Sequence, residues 1–106
     1  MISVTVSRKG SVINGFRIEG HAFFDSPGKD IVCAAVSILT INTINAVEEF
    51  LPKEPFALVS DKEKGFLDFS FREKPSEKGK LLIDTYLLGI RGIEGQYGGR
   101  YLKLID

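Results

Sequence analysis

Residues 31–50, IVCAAVSILTINTINAVEEF, run without a glycine or a proline, and this stretch limits the fold more than any other part of the chain. Its length and lack of breakers predict an α-helix, ended by the prolines of LPKEP, which cannot continue one. The first half, IVCAAVSIL, is apolar nearly all round, so this helix is expected to be covered on most sides. Only NAVEEF reads as a solvated surface. Such a helix needs a broad apolar partner, and the flanking sequence offers strands to build one.

In residues 2–7, Ile2, Val4 and Val6 alternate with Ser3, Thr5 and Ser7, the pattern of a half-buried strand. RKGS turns the chain, and residues 12–20 give a second strand with Phe16 and Ile18 on the core face, so the two pair as a hairpin. FALVS and GFLDFSF read as two more strands around DKEKG, with Leu67, Phe69 and Phe71 on one face and Asp68 and Ser70 on the other. Ser76 is a candidate helix N-cap, and Ile83, Tyr86, Leu87 and Ile90 follow at helical spacing. The glycines of GIRGIEGQYGG suggest that this second helix ends early or loosely, before a candidate last strand in RYLKLI. The fold class is therefore α+β: a two-layer ββαββα sandwich, with two helices packed on a largely antiparallel sheet. At 106 residues the chain supports one core, and residues 1–106 are expected to form a single domain.

Composition narrows the function. Fourteen acidic residues balance fourteen basic ones with no block of like charge, whereas nucleic-acid binders usually carry a basic excess or stripe. No direct nucleic-acid binding is expected. The single cysteine excludes an intrachain disulfide and fits a reducing compartment. The N-terminus has no signal-peptide apolar region, and no apolar run reaches about 18 residues without polar interruption, so a cytoplasmic chain with no membrane partner is expected.

The chemistry-bearing stretch is GHAFFDSPGKDIVCAAVS, which holds the only histidine and the only cysteine, His21 and Cys33. Each has a plain reading: a surface histidine ending a strand, and a small apolar residue in a buried helix. The alternative is a nucleophile and its base. Asp30 is a candidate N-cap for the helix, which puts Cys33 in the first turn, where free backbone N–H groups and the helix dipole favour the nucleophilic thiolate. Asp30, Cys33 and Ser37 fall on one helical stripe, the only polar groups of that apolar segment, as if lining a cleft. The loop of Asp25, Ser26, Pro27, Gly28 and Lys29 brings His21 back toward the helix and could lie over the site as a lid. Structural zinc binding fails on ligand count, and no metal or cofactor is expected.

The order Gly20-His21-Ala22, then Gly28, then Asp30 through Ser37 (DIVCAAVS), closely resembles the ribosomal-processing cysteine protease (Prp) family of bacteria. Ile93 and Tyr97 look similar as well. The resemblance implies a cysteine endopeptidase that removes a short, aromatic-containing N-terminal extension from a large-subunit ribosomal protein. It makes Cys33 the nucleophile and His21 its base, with Asp30 and Ser37 supporting, and it implies a homodimer. The rival is a non-catalytic RNA- or ribosome-binding module, whose best feature is the GXXG-like Gly89-Ile90-Arg91-Gly92.

Overall fold

The computed structural model describes residues 1–20 and 27–106, the first four residues of the latter range as backbone only. Along the chain run β1 (Ile2–Lys9), β2 (Val12–Glu19), α1 (Pro27–Phe50), β3 (Phe56–Asp61), β4 (Phe66–Phe71), α2 (Glu77–Tyr97) and β5 (Leu102–Ile105). The five strands form one sheet in the order β3-β4-β2-β1-β5, antiparallel throughout except that β5 runs parallel to β1. The expected two-layer ββαββα sandwich is the one observed, with RYLKLI supplying the last strand.

Register explains which face is buried. Val6 lies opposite Phe16, Phe16 opposite Phe69, and Val4 opposite Ile18, so the alternation seen in each strand adds up to one apolar face. That face meets Val32, Val36, Ile44 and Val47 of α1 and Ile83, Tyr86, Leu87 and Ile90 of α2 in a single cluster. The rings of Phe16 and Tyr86 stack with centroids 4.1 Å apart, and Phe69 packs on Phe16 at 5.3 Å. Fully burying each such aromatic side chain contributes roughly 1.5–3 kcal/mol. The opposite sheet face is polar, held by Arg17, whose guanidinium bonds Asp68 at 2.8 Å and lies over the Phe66 ring.

The helices differ from expectation at three points. First, α1 starts at Pro27 and not beyond Asp30, because proline suits the first helical position, where its missing N–H would be unbonded anyway. Second, α1 is not covered on most sides. Ile31, Ile38 and Ile41 are 50%, 70% and 57% exposed, because in a two-layer fold the outer side of the helices has no third layer among the described residues to cover it. Its other face is core, so although residues Ile31–Phe50 are long and apolar enough to cross a membrane by length and composition, the helix packs here on protein.

Third, α2 does not end early. It continues through Tyr97, carries Gly89, Gly92 and Gly95 within it, and stops at Gly98, whose φ of 88° suits a residue without a β-carbon. Gly89 packs tightly against α1: a β-carbon there would sit 2.5 Å from Leu39 Cδ2. Gly89-Ile90-Arg91-Gly92 is therefore helix and not a GXXG loop, with Ile90 fully buried. Ser76 caps α2 as expected, accepting from Gly79 N at 3.1 Å while its own N–H and hydroxyl donate to Glu54.

One residue of β2 has no freedom to change. The pairing with β1 shifts register at Ser7/Arg8, and just beyond that irregularity Gly15 approaches β4 so closely that a β-carbon would lie 2.0 Å from the Phe69 carbonyl oxygen. The obstacle is backbone, so the strands would have to part. Gly15→Ala is expected to lower stability by about 3 kcal/mol. A urea denaturation midpoint unchanged from that of the parent protein would refute this.

Candidate active site

The helix that sequence made the dominant element also carries the site. Cys33 is the seventh residue of α1, in its second turn, a full turn deeper than an Asp30 cap would place it. Asp30 itself is the fourth helical residue and therefore not the N-cap. Pro27, Gly28 and Lys29 belong to the first turn of the helix, not to a loop over the site. His21, Asp25 and Ser26 lie outside the described residues, so the expected approach of His21 to Cys33 and the lid do as well.

What the structure does bring together is Cys33 and Ser37, one turn apart on the same stripe, on the wall of a cleft of about 240 Å³. Thr40 and Ile41 extend that wall along α1. Ile18 and Gly20 contribute from the end of β2, and Ile2 from the start of β1. The facing wall is the β3–β4 hairpin, with Ser60, Asp61, Lys62, Gly65, Phe66 and Leu67. The thiol is free and partly buried, so it packs against the core from one side and opens to the cleft on the other. A structural cysteine sealed in the core would show no such opening.

The lining is mainly apolar, with Ser37, Thr40, Ser60, Asp61 and Lys62 as its polar members. Asp61 Oδ1 accepts from the backbone N–H groups of Glu63 and Lys64 at 3.1 and 3.3 Å, which fixes the hairpin tip that forms the rim. At the inner wall, Thr40 Oγ1 and Tyr86 Oη are 2.9 Å apart and buried. Burial pushes the Tyr86 phenol well above its usual range, only partly opposed by the bond to Thr40, so the hydroxyl stays neutral. The pair braces the helix turn after Ser37 against α2. Such an arrangement can seat an apolar side chain beside a nucleophilic sulfur while keeping the main chain of a peptide near polar groups at the rim.

Sequence reasoning missed Thr40 and the whole hairpin wall. Thr40 could have been found, since it continues the 33–37 stripe by one more turn. Ser60, Asp61, Lys62 and Phe66 gave no local signal, because they reach the site only when β3 and β4 join β2 in the sheet. No cluster of three or more metal-ligating side chains occurs among the described residues.

Comparison with known proteins bears on the chain as a whole. A family model described as cysteine protease Prp matches residues 1–103. The ribosomal processing cysteine protease Prp of Bacillus subtilis (strain 168) is 33% identical over 104 residues, spanning 92% of this chain and 90% of that protein. The crystal structure of SMU.848 from Streptococcus mutans superposes with a TM-score of 0.81 at 32% identity, covering 99% of this chain and 94% of the other. The Prp protease of S. aureus in complex with a substrate peptide shares the fold with a TM-score of 0.85 at 24% identity, over 98% and 97% of the two chains.

The geometry makes Cys33 accessible in the folded protein. Iodoacetamide is expected to alkylate it in native buffer within about tenfold of its rate in denaturant. Protection by several orders of magnitude, read by intact mass, would mean that the sulfur belongs to the core alone.

Proposed function

The chain belongs to the cysteine protease Prp family and is a cysteine peptidase; from that premise we propose that it removes the N-terminal extension of a large-subunit ribosomal protein by Cys33–His21 acyl transfer. The observation that carries this reading is the apolar cleft opening directly on the one free thiol. Its size and lining suit an aromatic or aliphatic side chain next to the scissile bond.

In the proposed reaction His21 takes the proton of the Cys33 thiol and the sulfur attacks the scissile carbonyl carbon, giving a tetrahedral oxyanion. That intermediate collapses to a thioester as the C–N bond breaks and His21 hands a proton to the leaving amine. His21 then takes a proton from water, whose oxygen attacks the thioester, and the carboxylate product leaves as the thiol is restored. Support for His21 comes from the GHA–DIVCAAVS pattern of the sequence. Ser37 is supported by its place on the cleft wall one turn from Cys33, and Asp30 by its place one turn before it. No cofactor enters this chemistry. A free catalytic thiol suits a reducing compartment, which supports a cytoplasmic location, and the even charge balance supports a protein substrate without direct nucleic-acid binding.

The same reading includes a homodimer. Ile38 and Leu88 stand beside Leu39 and Gly89, which pack against each other, and are 70% and 68% exposed. With Ile31, Ile41 and Leu81 they leave apolar side chains along the outer side of the helical layer. A second copy would cover them.

Two measurements test the proposal. A synthetic peptide of the host ribosomal protein's N-terminus, incubated with the enzyme and analysed by mass spectrometry, is expected to be cut at one bond. Cys33→Ser and His21→Ala should each lower kcat at least about 10³-fold with the circular-dichroism spectrum retained; full activity in either variant would remove that residue from the mechanism. In sedimentation the parent protein should run as a dimer, and Ile38→Glu with Leu88→Glu as a monomer. A parent protein that sediments as a monomer at all concentrations would exclude the dimer.

A further inference from the structure

The edge strand β3 has backbone groups with no partner among the described residues. It pairs with β4 alone, so its other side is the rim of the sheet. Register identifies the free groups. Arg72 N donates to Pro55 O at 2.9 Å, which makes Pro55 and Arg72 a hydrogen-bonded pair. In an antiparallel ladder bonded and non-bonded pairs alternate. Counting along the register, Ala57 and Val59 spend their backbone groups on Ser70 and Asp68, while Leu58 and Ser60 direct theirs to the open rim.

This rim lacks the usual protection. Natural edge strands are guarded by charges, prolines or bulges that prevent a further chain from pairing. From Phe56 to Ser60 there is no charge and no proline, the register with β4 is unbroken, and Leu58 and Val59 are 43% and 60% exposed. An unguarded edge of this kind is kept where it is used. Its position says for what: Ser60 and the next two residues line the cleft that holds Cys33. The side chains of Leu58 and Ser60 lie on the sheet face that also carries Phe69 and Leu67, which is the face toward α1.

We propose that the substrate's extended segment adds to β3 as a sixth strand, hydrogen-bonded through its backbone to Leu58 and Ser60, and is thereby led into the cleft at Cys33. This deepens the peptidase reading and rests on it. Backbone pairing supplies affinity and fixes the direction of the chain, while alternate side chains of the substrate fall toward the apolar cleft wall and the rest toward solvent. The recognised sequence then carries a period of two: apolar residues at every second position, with latitude between them.

Amide hydrogen exchange on the Cys33→Ala protein tests this without any cleavage step. The peptide of the host ribosomal protein's N-terminus is expected to slow exchange at the Leu58 and Ser60 amides by about tenfold or more, and to change Ala57 and Val59 little, since those are already bonded to β4. Ser60→Pro, which an outward-facing edge position tolerates, should lower kcat/KM at least about tenfold while the melting temperature holds. Cleavage by the parent enzyme without the alternating protection would overturn the edge-strand inference and leave the peptidase intact. Protection without cleavage would uphold the docking edge and overturn the proposed reaction. Protection already present without peptide and rising with protein concentration would assign the edge to a second copy of the chain and overturn the inference.

Discussion

The stack of Phe16 on Tyr86, with the Tyr86 hydroxyl bonded to Thr40, is the interaction on which the rest of the molecule depends. Phe16 sits in the central part of the sheet, Tyr86 in the middle of α2, and Thr40 in the middle of α1, so three elements distant in sequence meet through three side chains. Tyr86 and Phe16 are fully buried, which supplies the apolar term, and the hydroxyl pair prevents two polar groups from being stranded in the core. Directional hydrogen bonding adds what apolar contact cannot: it sets the rotation of α1 about its own axis. Thr40 must face inward, and that decides which stripe of the helix faces the hairpin.

Cys33 and Ser37 lie on that stripe, so packing places both on the cleft wall. A thiol on a 24-residue helix braced by α2 has its position defined by the core and not by a loop. The opposing wall is more local in character: a tight hairpin whose tip is held by Asp61 and whose strands are anchored by Phe69 and Phe71 in the core. The cleft is thus framed by two elements that are each well supported, with the end of the sheet beneath it. Pre-organisation of this kind lowers the cost of holding a flexible peptide in line for attack.

A chain of this size cannot cover everything it builds. Two surfaces are left incomplete, and they differ in kind. The outer side of the helices is apolar side-chain surface, which another apolar surface can satisfy without a particular direction. The rim of β3 is backbone unpaired among the described residues, which an extended chain in register can satisfy. The first suits a second folded copy and the second suits a peptide.

Much of the fold was legible because its signals are local. Period-two alternation marked β1, β2 and β4, the prolines of LPKEP marked the end of α1, and Ser76 announced the start of α2. The misreadings came where tertiary contact overrides local preference. Gly89, Gly92 and Gly95 look like the end of a helix, yet α2 continues through them because Ile90 and Leu87 are buried and Gly89 makes room for Leu39. IVCAAVSIL looks like an all-round buried helix, yet half of its circumference faces outward, since sequence gives apolarity but not the number of layers. For the site, sequence by itself determined the reactive groups on offer: one thiol, one imidazole, and a polar stripe of helix carrying Cys33 and Ser37. Only the tertiary structure decided that the stripe faces a cleft, that β3 and β4 close it, and that Leu58 and Ser60 turn free backbone to its edge. Those are facts of register and long-range pairing, and no window of the sequence contains both partners.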